Sequence, residues 1–317
     1  MALLISERDV NELLSFRDAI NAVEDAFRLM AEGQAVNLPR RRAITKGAVL
    51  HTLQGIVLGS YNVAGLKTYL STRGGSRFVV LLFDVASGEL LAIIEADRLG
   101  QIRTGAASAV ATKYMARPNS RTLGIVGSGR QARAQFEALA ELMRPALVKI
   151  YSRTPGHAIL FAEMVKSRGY EATVAESYAE VADVDVLCTA TNSQEPFIRG
   201  EHLKPGIHIN AVGSNWAHRA ELAPDAVAKA DIIAVDDVVQ AREEAGDLIQ
   251  ANALERAVPL SDIVAGKARG RSNEYSITIF KSMGIAVEDL VVAKRVYERA
   301  LRAGMGREIP FSGRWPS

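Results

Sequence analysis

Apolar positions recur at helical spacing early in the chain. Ile20, Val23, Phe27 and Met30 fall on one face, with Ser15 placed as an N-cap and Gly33 placed to close the element. The pattern predicts one amphipathic helix over residues 7–33. From Ala35 to Ala96 the texture changes to short β-like runs, Ala48–Leu53, Val63–Leu70, Phe78–Asp84 and Leu90–Glu95, with glycines at 47, 55, 65, 74, 75 and 88 as separators. Such runs between turn residues predict an antiparallel meander. Asp97–Met115 returns to helix, crowded with the small residues Gly105, Ala106, Ala107, Ala109 and Ala111, and Pro118 marks its end.

After Arg121 strands and helices alternate. Strands are predicted near 123–126, 147–151, 171–175, 185–189, 207–212 and 231–235, then over Tyr275–Phe280, followed by a strong helix over Ala286–Ala303 that can return to the first domain. Alternation of this kind predicts a parallel, doubly wound sheet. The expected fold class is α/β: a Rossmann domain over 118–285, and an α+β domain with an antiparallel sheet from 1–117 and 286–317. At 317 residues the chain has the length of two domains.

Composition narrows the function classes. With 48% hydrophobic and 23% charged residues the chain reads as an ordinary soluble globular protein. A net charge of +2 argues for neither nucleic acid nor an anionic membrane, and the basic run Arg40-Arg41-Arg42 is too short for a polyanion footprint. No apolar run approaches a membrane span, and Glu7 and Asp9 interrupt what a secretory signal would need. Cys188 is the single cysteine, which excludes an intramolecular disulfide and suits a reducing cytoplasm. The histidines at 51, 157, 202, 208 and 218 show no metal-ligand spacing, so no metal site is expected.

The most specific chemistry lies in Leu123–Val126, an expected strand, followed by Gly127-Ser128-Gly129-Arg130-Gln131-Ala132 and a helix over 130–142. The first glycine of such a G-x-G-x-x-G/A turn allows the bend, the second lets backbone approach a pyrophosphate, and Ala132 lets helix pack on strand. The helix N-terminus then faces the phosphates. A second strand, Leu147–Tyr151, ends in Ser152-Arg153-Thr154, where an NAD enzyme usually carries an acid for the ribose 2′-hydroxyl. A guanidinium and two hydroxyls suit a 2′-phosphate instead, so NADP(H) is preferred over NAD(H).

The first domain offers cations in apolar or small-residue settings: Lys67 within Val63–Tyr69, Arg103 within Leu99–Gly105, and Arg41 ahead of the first meander run. A buried cation needs a partner. A substrate carboxylate and a structural salt bridge both satisfy that requirement.

Four motifs in order, Ile102–Ala109, Gly127–Ala132, Asn210–Asn215 and Ile277–Leu290, make the chain resemble the ornithine cyclodeaminase/mu-crystallin family over nearly its whole length. That family includes ornithine and lysine cyclodeaminases, an archaeal type of alanine dehydrogenase, ketimine reductases and imino-acid reductases. The resemblance implies a substrate-binding and dimerisation domain completed by the C-terminal helix, a homodimer, and hydride exchange between a nicotinamide and the α-carbon of a small amino or imino acid, or a 2-oxo acid with an amine. It implies that Arg103 clamps the substrate carboxylate and that Lys67 stands at the reacting centre. Arg41 matches a further carboxylate arginine, with Arg40 and Arg42 leaving the register open. Cofactor contacts are implied for Gly127, Ser128, Gly129, Arg130, Gln131, Ala132, Ser152, Arg153 and Thr154, and for Thr104, Thr189, Ala190, Thr191, Val212, Gly213, Met283 and Gly284.

One departure bears on the reaction. Cyclodeaminases carry an acid two positions after the glycine of Asn210–Asn215, where this chain has Asn215. An amide accepts no proton at neutral pH. The expected activity is therefore an imino-acid or ketimine reductase, or an amino-acid dehydrogenase. The alternatives are a cyclodeaminase with bound NAD and a non-catalytic NADPH- and ligand-binding protein of mu-crystallin type.

Overall fold

Two hydroxyl caps shape the start of the chain. After β1 (Ala2–Ile5), Ser6 opens α1 (Glu7–Leu13): its hydroxyl accepts from the Asp9 amide while the Asp9 carboxylate accepts from the Ser6 amide. Ser15 opens α2 (Phe16–Ala31), and its extended backbone (φ −92°, ψ 156°) breaks the helical path. The single helix expected over 7–33 is thus two helices, because a residue that caps one helix cannot continue another. Ile20, Val23 and Phe27 are buried, and Gly33, at φ 72°, ends the element. The computed structural model describes residues 1–313.

Five strands follow: β2 (Ala35–Thr45), β3 (Ala48–Val57), β4 (Val63–Thr72), β5 (Gly75–Asp84) and β6 (Leu90–Glu95), paired antiparallel in sequence order. The four expected runs fall within β3–β6. β2 has no clear alternation in the sequence, because Pro39 and three arginines interrupt it and a bulge between Leu38 and Arg41 shifts its register. The long helix α3 (Asp97–Met115) comes next.

The second half alternates strand and helix. β7 (Thr122–Val126), α4 (Arg130–Met143), β8 (Leu147–Tyr151), α5 (Pro155–Ser167), β9 (Ala172–Val174), α6 (Tyr178–Ala182) and β10 (Val186–Thr189) form its first part. β11 (His208–Ala211), α7 (Pro224–Ala228), β12 (Ile232–Val235), α8 (Val238–Glu244), α9 (Gly246–Gln250), β13 (Ala257–Pro259), α10 (Leu260–Val264) and β14 (Thr278–Lys281) complete it. All neighbours in this eight-stranded sheet are parallel, in the order β13-β12-β14-β11-β10-β7-β8-β9. This is a Rossmann-type doubly wound sheet. The order in which successive strands are added reverses between β7 and β10, and in such sheets a ligand crevice lies outside the carboxyl ends of the strands at that switch point.

The chain then returns as α11 (Ala286–Ala303) and β15 (Arg307–Ile309). β15 joins a mixed seven-stranded sheet, β15-β1-β6-β5-β4-β3-β2, antiparallel except where β1 meets β6. Gly55 and Gly65 are mid-strand partners there, not separators. A Cβ on Gly65 would lie 2.8 Å from Leu290 of α11, and one on Gly55 3.2 Å from Val287, so the glycine pair admits the helix close to the sheet.

The chain divides into two units, Met1–Arg103 with the segment from Ile285 onward, and Thr104–Gly284. The division falls inside α3, not at its C-terminal end. A Cβ on Gly105 would meet Ala134 O at 2.7 Å and Ala138 Cβ at 2.9 Å, so the small-residue stretch of α3 sits tightly against α4. Of the expected segment 286–317, residues 314–317 lie outside those described.

Candidate active site

Within the unit Thr104–Gly284, the glycine turn takes the form its sequence predicts. Gly127, at φ 119°, donates its amide to Tyr151 O at 2.9 Å, and a Cβ there would lie 2.5 Å from Ala190 O. The loops after β7 and β10 therefore touch at the switch point. Gly129 caps α4 without a side-chain hydrogen bond, and a Cβ built on it meets nothing within 4 Å. Arg130 and Gln131 occupy the first turn of α4, which holds no acid, and Ala132 is buried against the strand. Ser128 and Ser152 hydroxyls are 3.0 Å apart, linking the glycine loop to the end of β8, where Arg153 and Thr154 are exposed. A helix N-terminus with no acid in its first turn and space in front of Gly129 fits a dinucleotide pyrophosphate.

Further along the same rim, Thr189, Thr191 and Gly213 converge on one carboxylate, that of Glu221. Glu221 is not legible as a site residue in the sequence, since an isolated acid beside alanines carries no motif. Ala190 and Val212 are half-buried beside these residues. The amides of Met283 and Gly284 donate to Asp236, Met283 at 2.6 Å. Thr104 lies half-buried on α3, and Asn215 half-buried in the loop after β11.

In the other unit, the first turn of α11 presents two acids, Glu288 and Asp289, both fully buried at a helix N-terminus where negative charge is favoured. Lys67 of β4 donates to Asp289 Oδ1 at 2.9 Å, and Arg103 of α3 donates to the same oxygen at 2.9 Å through Nε. Arg103 Nη1 reaches Glu288 at 2.8 Å. A Cβ on Gly100 would lie 2.8 Å from the Lys67 ammonium, so glycine there leaves room for it.

The bulge in β2 decides the arginine register. Arg41 pairs with Thr52, while Lys67 pairs with Leu53 one position on, so Arg41 is on the opposite face and exposed. Arg40, skipped by the bulged pairing, is 4% exposed and its charge acts on Lys67. Arg42 shares the face of His51 and donates to its Nδ1 at 3.3 Å. The expected Arg41 is therefore replaced on the inner face by its two neighbours.

Burial lowers the Lys67 pKa from 10.5 to about 8, with the Arg103 and Arg40 cations adding to the fall and Asp289 opposing it. His51 is lowered to about 4, by burial first and then by Arg42 and Arg40, so it is neutral near pH 7. Its ring stacks on Tyr69 at 4.2 Å, Tyr69 meets Phe78 at 4.7 Å, and the Lys67 ammonium lies 5.6 Å from the Phe78 ring centre. This aromatic row borders the cations on the same sheet face.

Among the described residues no group of three or more His, Cys, Asp or Glu is placed to hold a metal ion. No described helix is long and apolar enough to cross a membrane.

The family model for the ornithine cyclodeaminase/mu-crystallin family matches residues 2–304. The chain belongs to that family. It is 42% identical over 243 residues to Delta(1)-pyrroline-2-carboxylate reductase of Bacillus cereus, covering 74% of each chain. An archaeal alanine dehydrogenase dimer with bound NAD superposes with a TM-score of 0.93 at 33% identity, covering 98% of this chain and 99% of that one. The Thermococcus litoralis Delta(1)-pyrroline-2-carboxylate reductase, solved with NADH and L-proline, gives a TM-score of 0.90 at 33% identity over 97% of this chain and all of the other, 100%.

Proposed function

We propose that this chain is a nicotinamide-dependent oxidoreductase that exchanges a hydride with the α-carbon of a small amino or imino acid. It works as an imino-acid or ketimine reductase, or in reverse as an amino-acid dehydrogenase. Lys67 carries the reading. The residue is 3% exposed, and Asp289 is its one hydrogen-bond partner among the described residues. An ammonium has three N–H donors, so two remain for a ligand. A buried cation with unspent donors, flanked by the Arg103 and Arg40 charges, favours an anion, and a substrate carboxylate supplies one.

Arg103 and Arg40 take the roles of carboxylate anchors, Arg40 in place of Arg41, and so fix the α-carbon and its imine nitrogen. A bound nicotinamide supplies the hydride that reduces the imine carbon. Lys67 hands its proton to the imine nitrogen, leaving an amine and a neutral lysine that recovers its proton from solvent. A pKa of about 8 keeps Lys67 protonated at neutral pH while making the proton easier to give. Asp289 holds Lys67 and Arg103 through one oxygen and so keeps donor and anchor in register.

The sign of the pH dependence follows. Lys67 carries its proton below its lowered pKa and loses it above, so kcat/KM for reduction is expected to fall as pH rises through about 8. His51, already neutral, should add no step near pH 6.5. A pH–rate profile flat to pH 10 would remove Lys67 as the proton donor.

NADP(H) is the cofactor this reading prefers, held by Gly127–Ala132 at the pyrophosphate and by Ser152, Arg153 and Thr154 at the 2′-phosphate. Arg153→Asp is expected to weaken NADPH binding markedly and to improve NADH binding. Equal use of both cofactors by the native chain contradicts the preference. Reduction of 2-oxo acids with ammonia or methylamine, and of cyclic imines, followed by loss of reduced-nicotinamide absorbance, tests the activity. Ammonia release from ornithine without net NADH would instead favour ring closure, for which Asn215 provides no base. Cofactor storage alone requires neither Lys67 nor Arg103.

The same reading makes the chain a homodimer acting in the cytoplasm, where the lone buried Cys188 needs no partner. Val36, Leu38, Leu50, Ile56 and Leu70 lie on the sheet face away from α11 and are 42–55% exposed. An apolar face of that extent is a natural site for a second copy across a two-fold axis. Sedimentation at micromolar concentration is expected to show a dimer, and a monomer would refute this assembly.

A further inference from the structure

The carboxylate of Glu221 is fully buried and takes four hydrogen bonds. Oε1 accepts from the Thr191 amide at 2.8 Å and the Thr191 hydroxyl at 2.7 Å. Oε2 accepts from the Thr189 hydroxyl at 2.7 Å and the Gly213 amide at 2.8 Å. Thr189 and Thr191 belong to the end of β10 and its loop, and Gly213 to the loop after β11, so one side chain ties two adjacent rim loops together. The fit is tight: a Cβ on Gly213 would lie 2.2 Å from Glu221 Oε1 and 2.4 Å from Thr191 O.

Glu221 is itself anchored from behind. Its own amide and that of Leu222 donate to Asp247 Oδ1 at 2.7 and 2.8 Å. Asp247 Oδ2 pairs with Lys281 at the end of β14, 2.8 Å away, and the Lys281 ammonium donates to Ser214 O at 2.7 Å, back in the Gly213 loop. Asp247 and Lys281 are both fully buried. Such an array of buried charges is costly unless every member is held, and removing one leaves the others exposed to that cost.

A dinucleotide crosses a doubly wound sheet at its switch point, one mononucleotide on each side. The adenine side here is β7–β8, with Ser152–Thr154 at its rim. The β10 and β11 loops lie on the other side. We propose that Glu221 is a positioning residue: its carboxylate locks the two loops that receive the nicotinamide half of the cofactor, and so sets the affinity for that half. This rests on the reading that the chain binds a nicotinamide dinucleotide.

Glu221→Gln separates this role from general stability. The amide nitrogen would face two hydrogen-bond donors where an oxygen accepted both. The Kd of the intact reduced dinucleotide, measured by calorimetry with whichever of NADPH and NADH the native chain binds more tightly, is expected to rise about tenfold or more. The Kd of the matching adenine-side fragment, ADP-ribose or its 2′-phosphate, should stay at the native value. Thr191→Val, which removes one hydroxyl and keeps the amide, should give a smaller loss in the same direction, and it carries the test alone if the glutamine variant does not fold. Equal weakening of both ligands, or no weakening of either, overturns the role of Glu221. A native chain that binds neither ligand overturns the cofactor reading itself, a different outcome from failure of the variants alone.

Discussion

The Lys67→Ala variant is expected to reduce its imino substrate about a hundredfold or more slowly than the native chain, the contribution typical of a placed general acid. The loss should appear mainly in kcat, because proton transfer to the imine nitrogen is an interaction made in the transition state. It should also abolish the fall in rate above about pH 8 that the lowered Lys67 pKa predicts. Cofactor affinity should be preserved, since Gly127–Ala132 and Ser152–Thr154 belong to the other unit. Removing a buried ammonium leaves Asp289 with Arg103 as its cation, so the acid stays paired and the variant has a physical reason to fold. A folded variant with native kcat and a native pH profile would exclude Lys67 from the chemistry.

Arg103→Lys should behave differently. It keeps the charge but loses the planar fork that holds Asp289 and Glu288 through separate nitrogens, and with it the geometry that the proposed carboxylate clamp requires. The expected cost is about 2–3 kcal/mol in kcat/KM, dominated by KM, as for loss of a charge-assisted hydrogen bond. Arg40→Ala should raise KM in the same sense, whereas Arg41→Ala should leave the kinetics unchanged because Arg41 is exposed on the opposite sheet face. Steady-state kinetics of the three variants decide this. A large effect at Arg41 with none at Arg40 would mean that the bulge does not set the register as described.

Much of the nucleotide-binding half is legible in the chain, because its signals are local. The glycine turn, the missing acid after β8 and the alternating strands each depend on residues close in sequence, where backbone sterics and hydrophobic periodicity act directly. The cations of the first domain are legible only as candidates. Their partners, Glu288 and Asp289, lie 185 and more residues away from Arg103 and look like ordinary first-turn acids of a helix.

What the amino-acid order determined by itself is therefore the Rossmann turn, the meander strands β3–β6 and the identity of Lys67 and Arg103 as unusual cations. Tertiary structure alone decided that Gly55 and Gly65 admit a helix instead of ending strands, and that a bulge turns Arg40 inward and Arg41 out. It also brought four donors from two loops onto Glu221. Those outcomes turn on which distant backbone or side chain arrives at a given face, and period-two or period-3.6 patterns carry no information about that.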